Sequence, residues 1–113
     1  MILRDNLPFG KSYISQTKFD RQNNMWIATA NGIYCHDGTS WIRFDKSNTA
    51  LQTNNVNCMD FDSKGHLWCG TYGGGLYKYD GNKWIRYNTP SGYIGAIAID
   101  KNDAVWLNCR DSE

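Results

Sequence analysis

Glutamate is almost absent from this chain of 113 residues, because Glu113 is the only one. Histidine and proline each occur only twice. A catalytic centre built from histidine and glutamate around a divalent metal therefore has few residues to draw on. Neither His36 nor His66 is accompanied by a nucleophile in a recognisable motif. We therefore expect no catalysis, no metal and no cofactor.

The chain also lacks a large excess of charge of one sign and lacks long apolar runs. The net charge is +1, so no field favours nucleic acid or an anionic membrane surface as a partner. No apolar run is long enough to span a membrane, and the first 12 residues lack the pattern of a signal peptide. No stretch shows the apolar period of a helix, so we expect an all-β protein.

What the chain does contain is a repeat. Asp20, Asp62 and Asp100 each stand six residues before a tryptophan, and successive copies are 42 and 38 residues apart. Each of the first two copies has a further tryptophan near its end, in the sequences WIRF and WIRY. Repeats of this period are typical of solenoids and propellers.

Each copy divides into four short runs of residues that suit a pleated sheet, separated by Gly, Asp and Asn. In the second copy these predicted strands are Val56–Phe61, His66–Thr71, Leu76–Tyr79 and Lys83–Tyr87. Four-stranded sheets that recur about every 40 residues are blades of a β-propeller.

In the third copy, strict alternation places Ile94, Ala96 and Ala98 on one face and Ile97 and Ile99 on the other. A sheet that is apolar on both faces is packed on both sides.

The sequence therefore predicts an all-β partial propeller with about two and a half antiparallel, four-stranded blades. Residues 1–12 are expected to be an outer-strand remnant and linker, 13–55 blade 1, 56–92 blade 2, and 93–113 half a blade. Propellers close with about four to eight blades, so we expect the partner to be the remaining blades of a larger propeller or other copies of the chain. Self-association would pair the first strand, near Ile2–Arg4, with the half-blade of another copy.

The stretch from Asp62 to Leu76 reads DSKGHLWCGTYGGGL. It resembles the two-component regulator propeller repeat. The resemblance implies the periplasmic, ligand-sensing region of a hybrid histidine kinase and response regulator, with an extracellular ligand such as an oligosaccharide. The alternatives are a structural or self-assembling propeller module without a ligand, and a propeller enzyme similar to streptogramin lyases. The single glutamate argues against the enzyme.

Residues that recur in every copy are expected to be structural, whereas a ligand touches each blade differently and should be bound by residues that break the repeat. The predicted core tryptophans are Trp26, Trp41, Trp68, Trp84 and Trp106. The candidate ligand-binding residues are the loop residues Asn31, Tyr72, Tyr93 and Arg110. The recurring aspartates, Asp20, Asp37, Asp62, Asp80 and Asp100, stand in turns, where Asp bonds its own backbone. They do not form a calcium-binding loop.

The four cysteines show no paired spacing typical of a zinc site. If the Asp62–Gly65 turn closes a regular hairpin, Cys58 and Cys69 lie directly opposite each other. Buried free thiols and a cross-strand disulfide both remain open at this point.

Overall fold

The structure of the protein is a computed structural model that describes Pro8 and residues 12–110, without the side chain of Arg110. These residues form ten strands and no helix. The strands are β1 Ile14–Phe19, β2 Met25–Thr29, β3 Gly32–His36, β4 Trp41–Phe44, β5 Val56–Phe61, β6 Leu67–Thr71, β7 Leu76–Tyr79, β8 Trp84–Tyr87, β9 Tyr93–Ile99 and β10 Val105–Arg110. The predicted strand near Ile2–Arg4 lies outside the described residues.

The strands form three antiparallel sheets in chain order. Blade 1 is β1 to β4, blade 2 is β5 to β8, and the half-blade is β9 and β10. The first strand of blade 2, β5, contacts both β1 and β9, so the first strands of the three units lie side by side. The fold is thus a partial β-propeller, as the sequence predicts. In blade 2, β6 and β8 begin one residue later than predicted, because the carbonyls of His66 and Lys83 close the preceding turns.

Each first strand carries a β-bulge at the same point of the repeat. In blade 2 the register passes from Val56 opposite Thr71 to Cys58 opposite Gly70, which leaves Asn57 as the extra residue. Cys69 therefore lies opposite Met59 and projects from the other face of the sheet. The prediction that Cys58 and Cys69 lie directly opposite each other is wrong for this reason. Both are free and buried, and burial raises the pKa of Cys58 to about 11.

The bulge also corrects the predicted faces of the third copy. Ile94 lies opposite Cys109 whereas Ala96 lies opposite Asn108, so the extra residue is Gly95. Ile94 is fully buried and turns towards Cys58 of blade 2. Ala96 and Ala98 project from the opposite face, which is exposed. Strict alternation fails here because one inserted residue exchanges the two faces.

The main core lies between blades 1 and 2. Its buried members are Trp26, Ala28, Ile33, Cys35, Leu51, Val56, Met59, Leu67, Cys69 and Tyr77. The Trp26 ring stacks on Phe44 of its own blade, at 5.6 Å between centroids, and meets the edge of Phe61 from blade 2 at 6.0 Å. The recurring tryptophan is therefore covered from both sides, by its own outer strand and by the next blade.

The five tryptophans are buried to very different degrees. Trp26 is 8% exposed, whereas Trp41, Trp68 and Trp84 are half-buried. Trp106 is 65% exposed, so the prediction that it belongs to the core is wrong for the described residues. The physical reason is that Trp26 is covered both by its own outer strand and by the blade that follows, whereas among the described residues neither cover stands over Trp106.

Candidate functional site

Each recurring aspartate serves the turn and the tryptophan of its own blade. Asp20 Oδ1 accepts the backbone N–H groups of Gln22 and Asn24 at 3.0 and 2.8 Å, and Oδ2 accepts the Trp26 indole N–H at 2.9 Å. The same carboxylate-to-indole bond joins Asp62 to Trp68 and Asp100 to Trp106. The prediction that these aspartates are turn residues is confirmed. The spacing of six residues is therefore the mark of a structural unit.

The turn keeps one backbone shape although its sequence changes. The residue three places after the aspartate has a positive φ in all three copies: 69° at Asn23, 81° at Gly65 and 64° at Asp103. Asn and Asp tolerate this left-handed region better than other residues with a side chain. The first copy, which lacks the turn glycine, therefore forms the same turn as the second.

These carboxylates should make stability depend on pH. At Asp20 burial raises the pKa, but the bonds from Trp26 and the turn outweigh it and the pKa is lowered. The pKa of Asp100 is lowered chiefly by the Trp106 hydrogen bond. A carboxyl whose pKa is lower in the folded than in the unfolded state stabilises the fold. This stabilisation is fully present at pH values above the unfolded-state pKa and is lost as the pH falls through the folded-state pKa. We expect the free energy of unfolding, from urea titrations, to fall as pH drops below about 4.

The control for this prediction is Asp20→Asn, which keeps an acceptor oxygen but cannot titrate. The variant should be less stable than the parent at pH 6, and its stability should change less between pH 6 and pH 3. Equal pH dependence in the two proteins would contradict the assignment.

At the opposite end of the blades, equivalent repeat positions form a rim where each first strand begins. The backbone N–H of Ala30 donates to Tyr13 at 2.9 Å, that of Tyr72 donates to Asn55 at 2.9 Å, and Arg110 pairs with Tyr93. We call this set the linker-end rim: Tyr13, Ala30, Asn55, Tyr72, Tyr93 and Arg110. Its backbone is repeated, but its residues differ between blades 1 and 2, and only Tyr13 and Tyr93 are of the same type at the same repeat position.

Two tyrosines of this rim meet across the boundary between blade 2 and the half-blade. The rings of Tyr72 and Tyr93 lie 5.0 Å apart at 80°, and their backbones form an isolated β-bridge. The N–H groups of Gly73 and Gly75 both donate to the Gly92 carbonyl at 3.0 Å. A Cβ on Gly92 would lie 2.6 Å from the Gly73 oxygen, so only glycine fits there. Both tyrosines are half-buried, and the backbone beneath them is held in place.

The structure brings together three of the four candidate ligand residues. Tyr72 touches Tyr93, and Arg110 is the backbone partner of Tyr93 in the half-blade. Asn31 lies apart on blade 1, in the turn between β2 and β3, where its side-chain oxygen accepts from Arg43 at 3.2 Å. Tyr13, which was not among the predicted ligand residues, is 72% exposed and occupies the same repeat position as Tyr93. The alignment of the copies could have identified Tyr13 from the sequence.

A separate cavity of about 300 Å³ lies between blades 1 and 2 at the other end. Trp26, Phe61 and Tyr79 form its apolar wall. Arg21 crosses it and donates to the carbonyls of Ser63 and Lys64 at 2.9 and 2.8 Å. The sequence did not predict this cavity because it exists only where two blades pack together.

Among the described residues, no group of His, Cys, Asp or Glu side chains is arranged to hold a metal.

Comparison with known proteins identifies one segment by family. The model described as "Two component regulator propeller" matches residues 50–73, which run from the end of the linker through β5 and β6. No curated protein sequence matches the chain. No helix in the described part of the chain is long and apolar enough to cross a membrane.

Solved structures that resemble the chain include two extracellular domains. One is the extracellular domain of a putative hybrid two component system from B. thetaiotaomicron, with 28% identity over 85% of this chain and a TM-score of 0.75. The other is the extracellular domain of a putative one component system from the same organism, whose 22% identity and TM-score of 0.70 show likeness of fold alone. The chain spans only 14% and 16% of these two proteins. Residues 50–73 thus match the two component regulator propeller model, within a propeller fold that the chain shares with these extracellular domains.

Proposed function

We propose that the chain is part of the sensor propeller of a two-component type regulator, located outside the cytoplasm and without catalysis of its own. The observation that carries this proposal is the likeness to the extracellular domain of a hybrid two component system over 85% of the chain. The match to the regulator propeller model supports it independently. In this role the propeller binds a ligand, and other parts of the regulator carry the signal.

We assign the ligand contact to the linker-end rim, around Tyr72 and Tyr93. These rings come from two different units, so a ligand that touches both spans a blade boundary. Tyrosine offers a flat apolar face and a hydroxyl on a rigid frame. Pyranose sugars present C–H faces and hydroxyl groups that match these two features. An oligosaccharide is therefore the class of ligand that this pair fits, with Asn55 and Tyr13 as further contacts on the rim.

Binding of soluble oligosaccharides, screened on an array and measured by calorimetry, tests this assignment. Tyr93→Ala should weaken binding at least about tenfold, as expected for an aromatic residue at the centre of a contact. Tyr93→Phe keeps the ring and should retain more of the affinity than Tyr93→Ala. Lys83→Ala, in the exposed turn between β7 and β8 at the opposite end, is the matched control and should bind like the parent.

The outcomes separate the candidate functions. If the parent binds an oligosaccharide and Tyr93→Ala binds equally well, the ligand lies elsewhere and the assignment of the rim fails. If the parent binds none of the oligosaccharides, the structural module without a ligand becomes the better account.

A further inference from the structure

The cavity between blades 1 and 2 has an interior lined by aromatic rings. Phe61 and Tyr79 stand at 69° and 58° to the Trp26 ring, with centroids 6.0 and 6.3 Å from it. These three rings enclose a corner instead of forming one stack, and we call them the aromatic corner. The buried Leu67 is a further apolar residue of the lining. The volume of about 300 Å³ lies at the lower end of the range for small-molecule sites, so it suits a ligand of amino-acid size.

The mouth of the cavity carries charges of both signs. Arg21, Lys64 and Asp80 line it and are exposed, whereas the aromatic corner lies deeper, with Trp26 only 8% exposed. Arg21 is fixed by its bonds to the carbonyls of Ser63 and Lys64. These bonds use two of the five guanidinium donors, so the side chain keeps donors for a ligand. An anionic group at the mouth would therefore meet two cations.

Asp80 is a carboxylate at this mouth with an oxygen to offer to a ligand. Its Oδ1 accepts the backbone N–H groups of Asn82 and Lys83 at 2.9 and 2.7 Å, and neither bond uses Oδ2. The bond from Lys83, followed by that from Asn82, lowers the pKa of Asp80, so the group is an anion at neutral pH. Asp20, the other carboxylate of the lining, already uses both oxygens for its turn and for the Trp26 indole. A cationic group of a ligand is therefore expected at Asp80.

We propose that this cavity binds a free α-amino acid with an aromatic side chain. The side chain of the ligand enters the aromatic corner, its carboxylate accepts hydrogen bonds from Arg21 and Lys64, and its ammonium group donates to Asp80. Both blades that form the cavity have all four strands, so no further blade is needed to build it. The site lies at the opposite end of the blades from the linker-end rim and does not depend on the oligosaccharide contact proposed there.

Related ligands match only part of this lining. An aromatic carboxylate without an ammonium group would bring a negative charge near Asp80 and leave that anion unpaired. An aromatic amine would meet the two cations of the mouth without a carboxylate to pair with them. A quaternary ammonium group in the aromatic corner would gain cation–π contacts, but its charge would then lie away from Asp80. Rings inside and both signs of charge at the mouth therefore favour the zwitterion.

Calorimetric titration of the full chain with single ligands tests the proposal. L-phenylalanine should bind with a Kd below about 1 mM. 3-Phenylpropionate, which lacks the ammonium group, and phenethylamine, which lacks the carboxylate, should each bind at least about tenfold more weakly, since each loses a charge-assisted hydrogen bond. L-alanine, which lacks the ring, should show no binding at the same concentrations.

Substitutions at the mouth locate the ligand. Asp80→Asn keeps an acceptor for the turn but removes the charge, so it should weaken binding of L-phenylalanine at least about tenfold and leave that of 3-phenylpropionate no weaker. Asp37→Asn is the matched control and should bind like the parent, because Asp37 accepts two backbone N–H groups at the same turn position of blade 1 but does not line the cavity. Lys64→Ala should weaken binding, whereas Lys46→Ala removes the same charge from an exposed turn elsewhere and should not.

The proposal fails if the parent binds none of L-phenylalanine, L-tyrosine and L-tryptophan at concentrations up to about 10 mM. It also fails if 3-phenylpropionate binds as tightly as L-phenylalanine, or if glycine betaine binds more tightly, which would place a quaternary ammonium group in the aromatic corner. An Asp80→Asn chain that melts like the parent and binds L-phenylalanine equally well would place the ligand at another site. Lys64→Ala gives a second, independent test of the same mouth.

Discussion

Trp26→Ala should lower the free energy of unfolding by about 3–5 kcal/mol, the range for removing a large buried aromatic side chain. Trp68→Ala should cost less, because Trp68 is only half-buried and its ring contacts Tyr87 and the Lys78 ammonium group of its own blade. Trp106→Ala should change stability by less than about 1 kcal/mol, because most of its ring is in water. Urea unfolding followed by far-ultraviolet circular dichroism, at concentrations where the chain is monomeric, measures all three.

This order is a consequence of how propeller blades cover one another. All three tryptophans keep the indole bond to an aspartate six residues earlier, so this bond does not distinguish them. They differ in the apolar cover that other units supply, which is greatest at Trp26. Equal losses for the three substitutions would contradict this account and would mean that each tryptophan stabilises its own blade alone.

Gly70→Ala should destabilise the protein by about 1–3 kcal/mol, the usual cost of inserting an extra methyl group into a packed core. A Cβ at this position would lie 2.4 Å from Cγ2 of Ile94 and 2.9 Å from Sγ of Cys58, so blade 2 and the half-blade would have to move apart. The equivalent residue of blade 1 is Ala28, which is fully buried. A methyl group is thus accommodated at this position of the repeat in blade 1 but not in blade 2.

The position of the added methyl group suggests a compensating change. Ile94→Ala removes the Cγ2 atom that the new Cβ would strike; alone it should cost about 2–5 kcal/mol, because Ile94 is fully buried, but in a Gly70→Ala chain it should cost less. A double-mutant cycle on urea unfolding measures this coupling, which should be favourable by more than about 0.5 kcal/mol. Strictly additive effects of the two substitutions would show that Gly70 and Ile94 do not share the space that the structure assigns to them.

The sequence by itself determined the architecture, because the features that define a blade are local. Four short strands, turn residues and a repeated Asp-to-Trp spacing lie within about 40 residues, which is the size of one supersecondary unit. The turn role of Asp20 and Asp62 was also predictable, since Asp at a turn bonds backbone groups only a few residues away. For the candidate site, the alignment of the copies identified Tyr72, Tyr93 and Arg110 as positions whose residue type differs between copies.

The tertiary structure alone decided what depends on a neighbouring blade or on a single inserted residue. The bulge at Asn57 separates Cys58 from Cys69, and strict alternation cannot foresee it because one extra residue reverses the faces of a strand. The contact between Tyr72 and Tyr93 arises because two units meet at the linker end. Trp26 and Trp106 occupy the same place in the repeat, but burial depends on the atoms that surround a residue, and only the packing of complete blades supplies these.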